Sequence, residues 1–147
     1  MFQPDLLHII SFKLLKFNIT EIKEFKDDLQ YFYQIDNNIH LSFNKEKKFI
    51  KSKLSLNVEL MSEDDETLYS KGDFIIEIVF FVENFDELSE FNEEKVLVID
   101  KSLGDNVIAI SYSTTRGYLI EKVRDTSFDG FILPIIDIRK DINTNSQ

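Results

Sequence analysis

The chain has 147 residues, 43% of them hydrophobic, which is enough for one domain with a single core and excludes global disorder. Its formal net charge of −10 disfavours nucleic acid and anionic membrane surfaces as partners, since both are held mainly through Lys and Arg. With no cysteine, a disulfide scaffold, a thiolate zinc site and a cysteine nucleophile are all excluded.

The N-terminal "MFQPDLLHIISFKLLKF" lacks a basic leader and a small-residue cleavage site, and Ser11, Lys13 and Lys16 interrupt its apolar run. No apolar stretch reaches the ~20 residues that a membrane helix needs. The expected location is the cytoplasm. Leu7 to Ile19 is expected to be a strand. In "TEIKEFKDDLQYF", Ile22, Phe25 and Leu29 have rough helical spacing behind a Thr20 cap, so a short helix and an irregular excursion both fit.

Ile50 to Leu60 carries the clearest pattern. Ile50, Leu54, Leu56, Val58 and Leu60 alternate with Lys51, Lys53, Ser55, Asn57 and Glu59, which predicts a strand with one buried and one wet face. Gln34 to Phe43 reads as its hairpin partner across the turn "NKEKK". The acidic "SEDDET" is a solvated turn, without the glycine and ligand spacing of a calcium loop. In "DFIIEIVFFVENF", Phe74, Ile76, Ile78, Phe80 and Val82 share one face while Ile75, Glu77, Val79 and Phe81 share the other. Such a strand is either covered on both faces or displays apolar surface.

Residues 86–104 are expected to form a short helix or loop ending at Gly104. Asp105 or Asn106 then caps a helix from Val107 to Arg124. "DTSFDG" reads as a turn, Pro134 as the first turn of a short terminal helix, and residues 143–147 as a frayed polar tail after a single domain over 1–142. The expected class is α+β: a four-stranded antiparallel sheet with a long helix and a short C-terminal helix on one face.

Catalytic signals are lacking. His8 and His40 have no metal-ligand spacing around them, no glycine-rich phosphate loop occurs, and Ser111 and Ser113 have no G-x-S-x-G setting. The expectation is a protein that is not an enzyme and needs no cofactor. Ala109, Ser113 and Gly117 recur every four residues and form a small-residue stripe along the long helix. It suits either a seam against the sheet or an interface between copies.

Two segments carry a family resemblance. Phe74-Ile75-Ile76-Glu77-Ile78 is similar to an inner-strand motif of the SecB export chaperones: an aromatic, two apolar residues, Glu and Val. "STTRGYLIEKVRDTSFDGFILPIIDI" resembles that family's arginine-bearing helix and the linker after it, with Arg116, Phe128, Phe131, Leu133 and Pro134 near the family's spacings. The chain departs from the pattern where Ser and Thr replace the usual Pro-Tyr before the arginine. It departs again at Asn18, which stands in place of an acidic residue.

The resemblance implies a homotetramer, a dimer of dimers with its long helices between sheets, joined here through Ala109, Ser113 and Gly117. It also implies ATP-independent holding of unfolded or precursor polypeptides in apolar grooves between sheet and linker. On that basis Phe80, Val82, Phe128, Phe131 and Leu133 are the expected client-binding residues. Ile75 and Glu77 belong to the surface that would dock the motor ATPase SecA. A different class fits the same residues: an interaction module for one dedicated partner, such as part of a toxin–antitoxin complex, without general chaperone activity.

Overall fold

The computed structural model describes residues 1–141 and, as backbone only, 143–146. Four long strands, β1 (Leu7–Glu21), β2 (Tyr31–Asn44), β3 (Phe49–Ser62) and β4 (Leu68–Val82), form an antiparallel sheet in the order β1-β4-β3-β2. A short hairpin follows, β5 (Ser89–Phe91) with β6 (Leu97–Ile99), and then the helix α1 (Lys101–Lys122). β7 (Asn143–Ser146) pairs in parallel with β2, at the position where a frayed tail is expected.

The period-two pattern sets which face is inside. Ile50, Ser52, Leu54, Leu56, Val58 and Leu60 of β3 and Phe74, Ile76, Ile78, Phe80 and Val82 of β4 are all buried under α1 and the segment after it. On β4 the other face, Ile75, Glu77, Val79 and Phe81, keeps partial exposure. The choice left open by this doubly apolar strand is resolved toward display.

β1 is an edge strand broken by two register shifts, between Ile9 and Ser11 and between Leu14 and Lys16. Each shift inserts one extra residue, Ile10 and Leu15, that no partner on β4 opposes.

Of the two forms open to residues 22–30, the irregular one is found. This segment carries the chain from one edge of the sheet to the other, three strand spacings or about 14 Å. Its backbone groups bond outward: Ile22 and Lys23 N–H donate to the Tyr69 carbonyl at 2.8 and 3.2 Å, and Lys26 N–H donates to the Tyr31 hydroxyl at 2.8 Å. Those bonds replace the i−4 partners that a helix would use.

α1 begins six residues before the expected Val107, and its cap is Asp100 rather than Asp105 or Asn106. Asp100 Oδ1 accepts from Leu103 N–H at 3.1 Å. Starting there lets Leu103 join the core fully buried, which outweighs the roughly 1 kcal/mol that Gly104 costs inside a helix. The buried stripe of α1 runs through Leu103, Val107, Ile108, Ser111, Tyr112, Thr115 and Leu119.

The terminal helix expected at Pro134 is absent; Phe131 to Ile138 form no regular element. Side chains of α1 take the carbonyls a helix would need: Arg116 Nε donates to the Leu133 carbonyl at 2.9 Å, and the Tyr112 hydroxyl donates to the Pro134 carbonyl at 2.8 Å. Those bonds hold the segment open along α1.

Candidate polypeptide-binding surface

The segment 125–138 lies over the inner face of the sheet. It turns out of α1 at Asp125, a left-handed residue with φ 62°, and again at Gly130, φ 85°. Ser127 and Ser70 hydroxyls meet at 2.7 Å, and the Ser70 hydroxyl also donates to the Thr20 carbonyl at 3.1 Å. These bonds tie the linker to β4 and, through it, to β1.

Beyond that tie, Phe128 enters a seat made by the missing side chain of Gly72. A Cβ there would stand 2.3 Å from the Phe128 ring and 2.7 Å from that of Phe74. Phe128 meets Phe74 edge-on at 6.1 Å, and Tyr33 meets Phe128 and Phe131 at 5.7 and 4.6 Å. Burial and the neighbouring Asp129 push the Tyr33 hydroxyl above the usual tyrosine pKa.

The linker then runs extended beside α1. Arg116 spans both carbonyls, with Nη2 reaching Pro134 at 3.2 Å, and its guanidinium lies 5.2 Å from the centre of the Tyr112 ring. Burial raises the Tyr112 pKa, while Arg116 opposes the rise. A groove floored by aromatic rings and walled by hydrogen-bond donors therefore already holds one extended apolar chain, its own.

The residues expected to touch clients are inside this arrangement. Phe80, Val82, Phe128, Phe131 and Leu133 are each at most 1% exposed and belong to the core of the protomer. Their burial has a packing reason: linker and sheet complete each other's apolar surfaces. Ile132 and Ile135 on the linker's outer side are 59% and 90% exposed instead, and Ile22 and Phe25 of the crossing segment are also exposed.

The small-residue stripe of α1 is settled at the level of the protomer. Ser113 and Gly117 are exposed, Ala109 is half-buried, and a Cβ at Gly117 would meet nothing within 4 Å. The stripe is therefore no intrachain seam. That role falls to the other side of the helix, where the Ser111 and Ser52 hydroxyls meet at 2.6 Å, both fully buried.

Ile75 and Glu77 lie on the outer face of the sheet, and Asn18 pairs with Asp73 there. Exposed apolar residues of the sheet were missed by the sequence reading: Ile9, Ile10 and Leu15 on β1 are 49%, 50% and 47% exposed. The signal existed. The apolar doublets Ile9-Ile10 and Leu14-Leu15 break the alternation, as a bulged strand must.

No family model matches the chain, and no curated protein matches it. Among solved structures, the SecB-like chaperone Rv1957 of Mycobacterium tuberculosis, in complex with a ChAD peptide from the Rv1956 HigA1 antitoxin, superposes with a TM-score of 0.69. The match covers 90% of this chain and 92% of that one at 13% sequence identity. The chain has a SecB-like fold. Within the SecB-like frame, the four strands, long helix and apolar linker stand in the expected order, with an extended segment and β7 in place of the terminal helix. No helix among the described residues is long and apolar enough to cross a membrane.

Proposed function

We propose that this protein is an ATP-independent holdase that binds extended apolar segments of unfolded or nascent polypeptides. The observation that carries the reading is the linker itself. Its Phe128, Phe131 and Leu133 are buried between the sheet and α1, and its Leu133 and Pro134 carbonyls accept from Arg116 and Tyr112, which supports a seat for an extended apolar chain. A client occupies the same kind of seat when the linker lifts, and the exposed Ile132, Ile135, Ile22 and Phe25 supply the first contact. Burying an aromatic side chain contributes at ~25 cal/mol per Å² before ordering costs, with little demand on sequence.

The reading includes assembly. The free edge of β1 and the stripe Ala109, Ser113 and Gly117 are the surfaces that copies would share, as a dimer of dimers in the cytoplasm. It carries no SecA step, because Asn18 is neutral where the resemblance expects an acidic residue, and Lys13, Lys16, Lys51 and Lys53 flank Ile75 and Glu77.

Aggregation of a chemically denatured client, followed by light scattering without nucleotide, tests the proposal. Suppression at near-stoichiometric protein is the expected result; unchanged aggregation removes the holdase reading. A second reading, a module with one dedicated partner, draws support from the antitoxin peptide held by the similar chaperone. Affinity capture separates the two: a holdase retains many unfolded chains, a dedicated module one protein at fixed stoichiometry.

A further inference from the structure

We infer that the outer face of the sheet, opposite α1 and the linker, docks an extended acidic segment of another protein. Cross-strand register builds the surface. Lys13 of β1 and Lys53 of β3 both oppose Glu77 of β4, Lys16 opposes Ile75, and Lys51 opposes Val79. β4 thus presents Ile75, Glu77, Val79 and Phe81 between two pairs of lysines, one on each neighbouring strand. Two strand spacings, about 10 Å, separate the pairs.

Three observations make this a surface with a missing partner. All four lysines are exposed, and among the described residues none of them forms an ion pair. A chain of net charge −10 has thus gathered four cations around the Ile75–Phe81 part of this face, while Asp36, Glu59 and Asp73 lie toward its other end. Between the lysines the apolar strip is half-buried rather than covered, with the Phe49 and Phe81 rings edge to face at 6.2 Å. The strip also runs into a depression of about 360 Å³, where Phe49, Val79, Lys47 and Lys51 share the lining. That volume suits a bulky apolar side chain beside a cation.

The chemistry selects the occupant. In an extended segment, alternate residues face the same way, so apolar side chains can lie on β4 while the long, exposed lysine side chains on either side rise past its edges to the intervening carboxylates. Phosphate backbones fit poorly. Glu77 sits between Lys13 and Lys53 and repels a continuous anionic track, and no arginine supports the lysines. The same face of a second copy would set lysine against lysine. The inference stands apart from the holdase reading, because the linker seat lies on the opposite face of the sheet.

The test uses the full-length protein and a fluorescein-labelled peptide of alternating glutamate and leucine, read by fluorescence anisotropy. Binding should weaken as salt rises. It should fall about tenfold or more on combining Lys13→Glu, Lys16→Glu, Lys51→Glu and Lys53→Glu, and persist with Lys95→Glu and Lys101→Glu, which lie elsewhere. If the fourfold variant fails to fold by circular dichroism, the milder pair Lys51→Gln and Lys53→Gln should still weaken binding. Equal binding by wild type and the folded variants overturns the proposal. So does an oligothymidylate of equal charge that binds as tightly as the peptide, which would make the face a nucleic-acid surface. A change in the protein's own mass on lysine reversal overturns it too, by assigning the face to self-assembly.

Discussion

The Ser52 and Ser111 hydroxyls meet 2.6 Å apart in the fully buried seam between β3 and α1. Each satisfies the other where a purely apolar contact would otherwise run, so they set the register of helix on sheet. Removing one leaves the other buried and unpaired. Ser111→Ala should cost about 1–2 kcal/mol in urea unfolding, and the double variant with Ser52→Ala should cost less than the sum of the singles. Simple additivity would show that the pair is not coupled.

Thr115, one turn further along α1, makes the opposite case. Its hydroxyl is buried and has no hydrogen-bond partner among the described residues. Thr115→Val keeps the shape and removes the unsatisfied group, so it should raise stability by up to about 1 kcal/mol. A lower midpoint in the same unfolding assay would mean that the hydroxyl has a partner in solution, such as a water.

Gly72 tests the linker seat. Adding one carbon there drives it into Phe128 and Phe74, both core rings with nowhere to move. Gly72→Ala should destabilise the protein by about 1–3 kcal/mol and leave the linker open to limited proteolysis near Phe128. Unchanged protection of that segment would separate its docking from the Gly72 gap.

Gly117 tests assembly without disturbing the protomer, because its surroundings are open. Gly117→Leu should stabilise α1 itself by up to about 1 kcal/mol through helix propensity. On the proposed assembly it should also lower the sedimentation coefficient by overfilling the stripe between copies. A faster-melting protomer, or an unchanged sedimentation coefficient, contradicts that arrangement.

Tyr33 and Tyr112 both have pKa values raised above the ordinary 10.0, chiefly by burial. The folded state therefore holds their protons more tightly than the unfolded chain. Their contribution is complete below pH 10 and is lost as pH climbs through the raised values. Alkaline titration should show stability falling from about pH 10 upward. Tyr112→Phe should make that fall shallower, while losing about 1 kcal/mol at neutral pH with the bond to the Pro134 carbonyl.

Much of the fold was legible because alternation is a local property of the chain. β3 and β4 could be read almost to the residue, since Ile50 to Leu60 and Phe74 to Val82 each sort their own faces. The start of α1 was less legible. Asp100 and Asp105 are equally good caps by type, and only the burial of Leu103 chooses between them. The terminal helix was predicted from Pro134, but the competing hydrogen bonds come from Arg116 and Tyr112, in another part of the chain. The candidate site was legible as a set of apolar residues, not as a surface.

By itself the sequence determined the strand faces, the polar turns, the small stripe and the absence of thiol chemistry, because each depends on residue type and near spacing. Tertiary structure decided which apolar residues are free. Phe128 and Phe131 are as hydrophobic as Ile132 and Ile135, yet the first pair is buried against Gly72 and Tyr33 and the second stands in solvent. It also placed Lys13 beside Lys53 across β4, 40 positions apart in the chain. Exposure and charge clustering depend on what long-range pairing brings alongside, and no local pattern contains that.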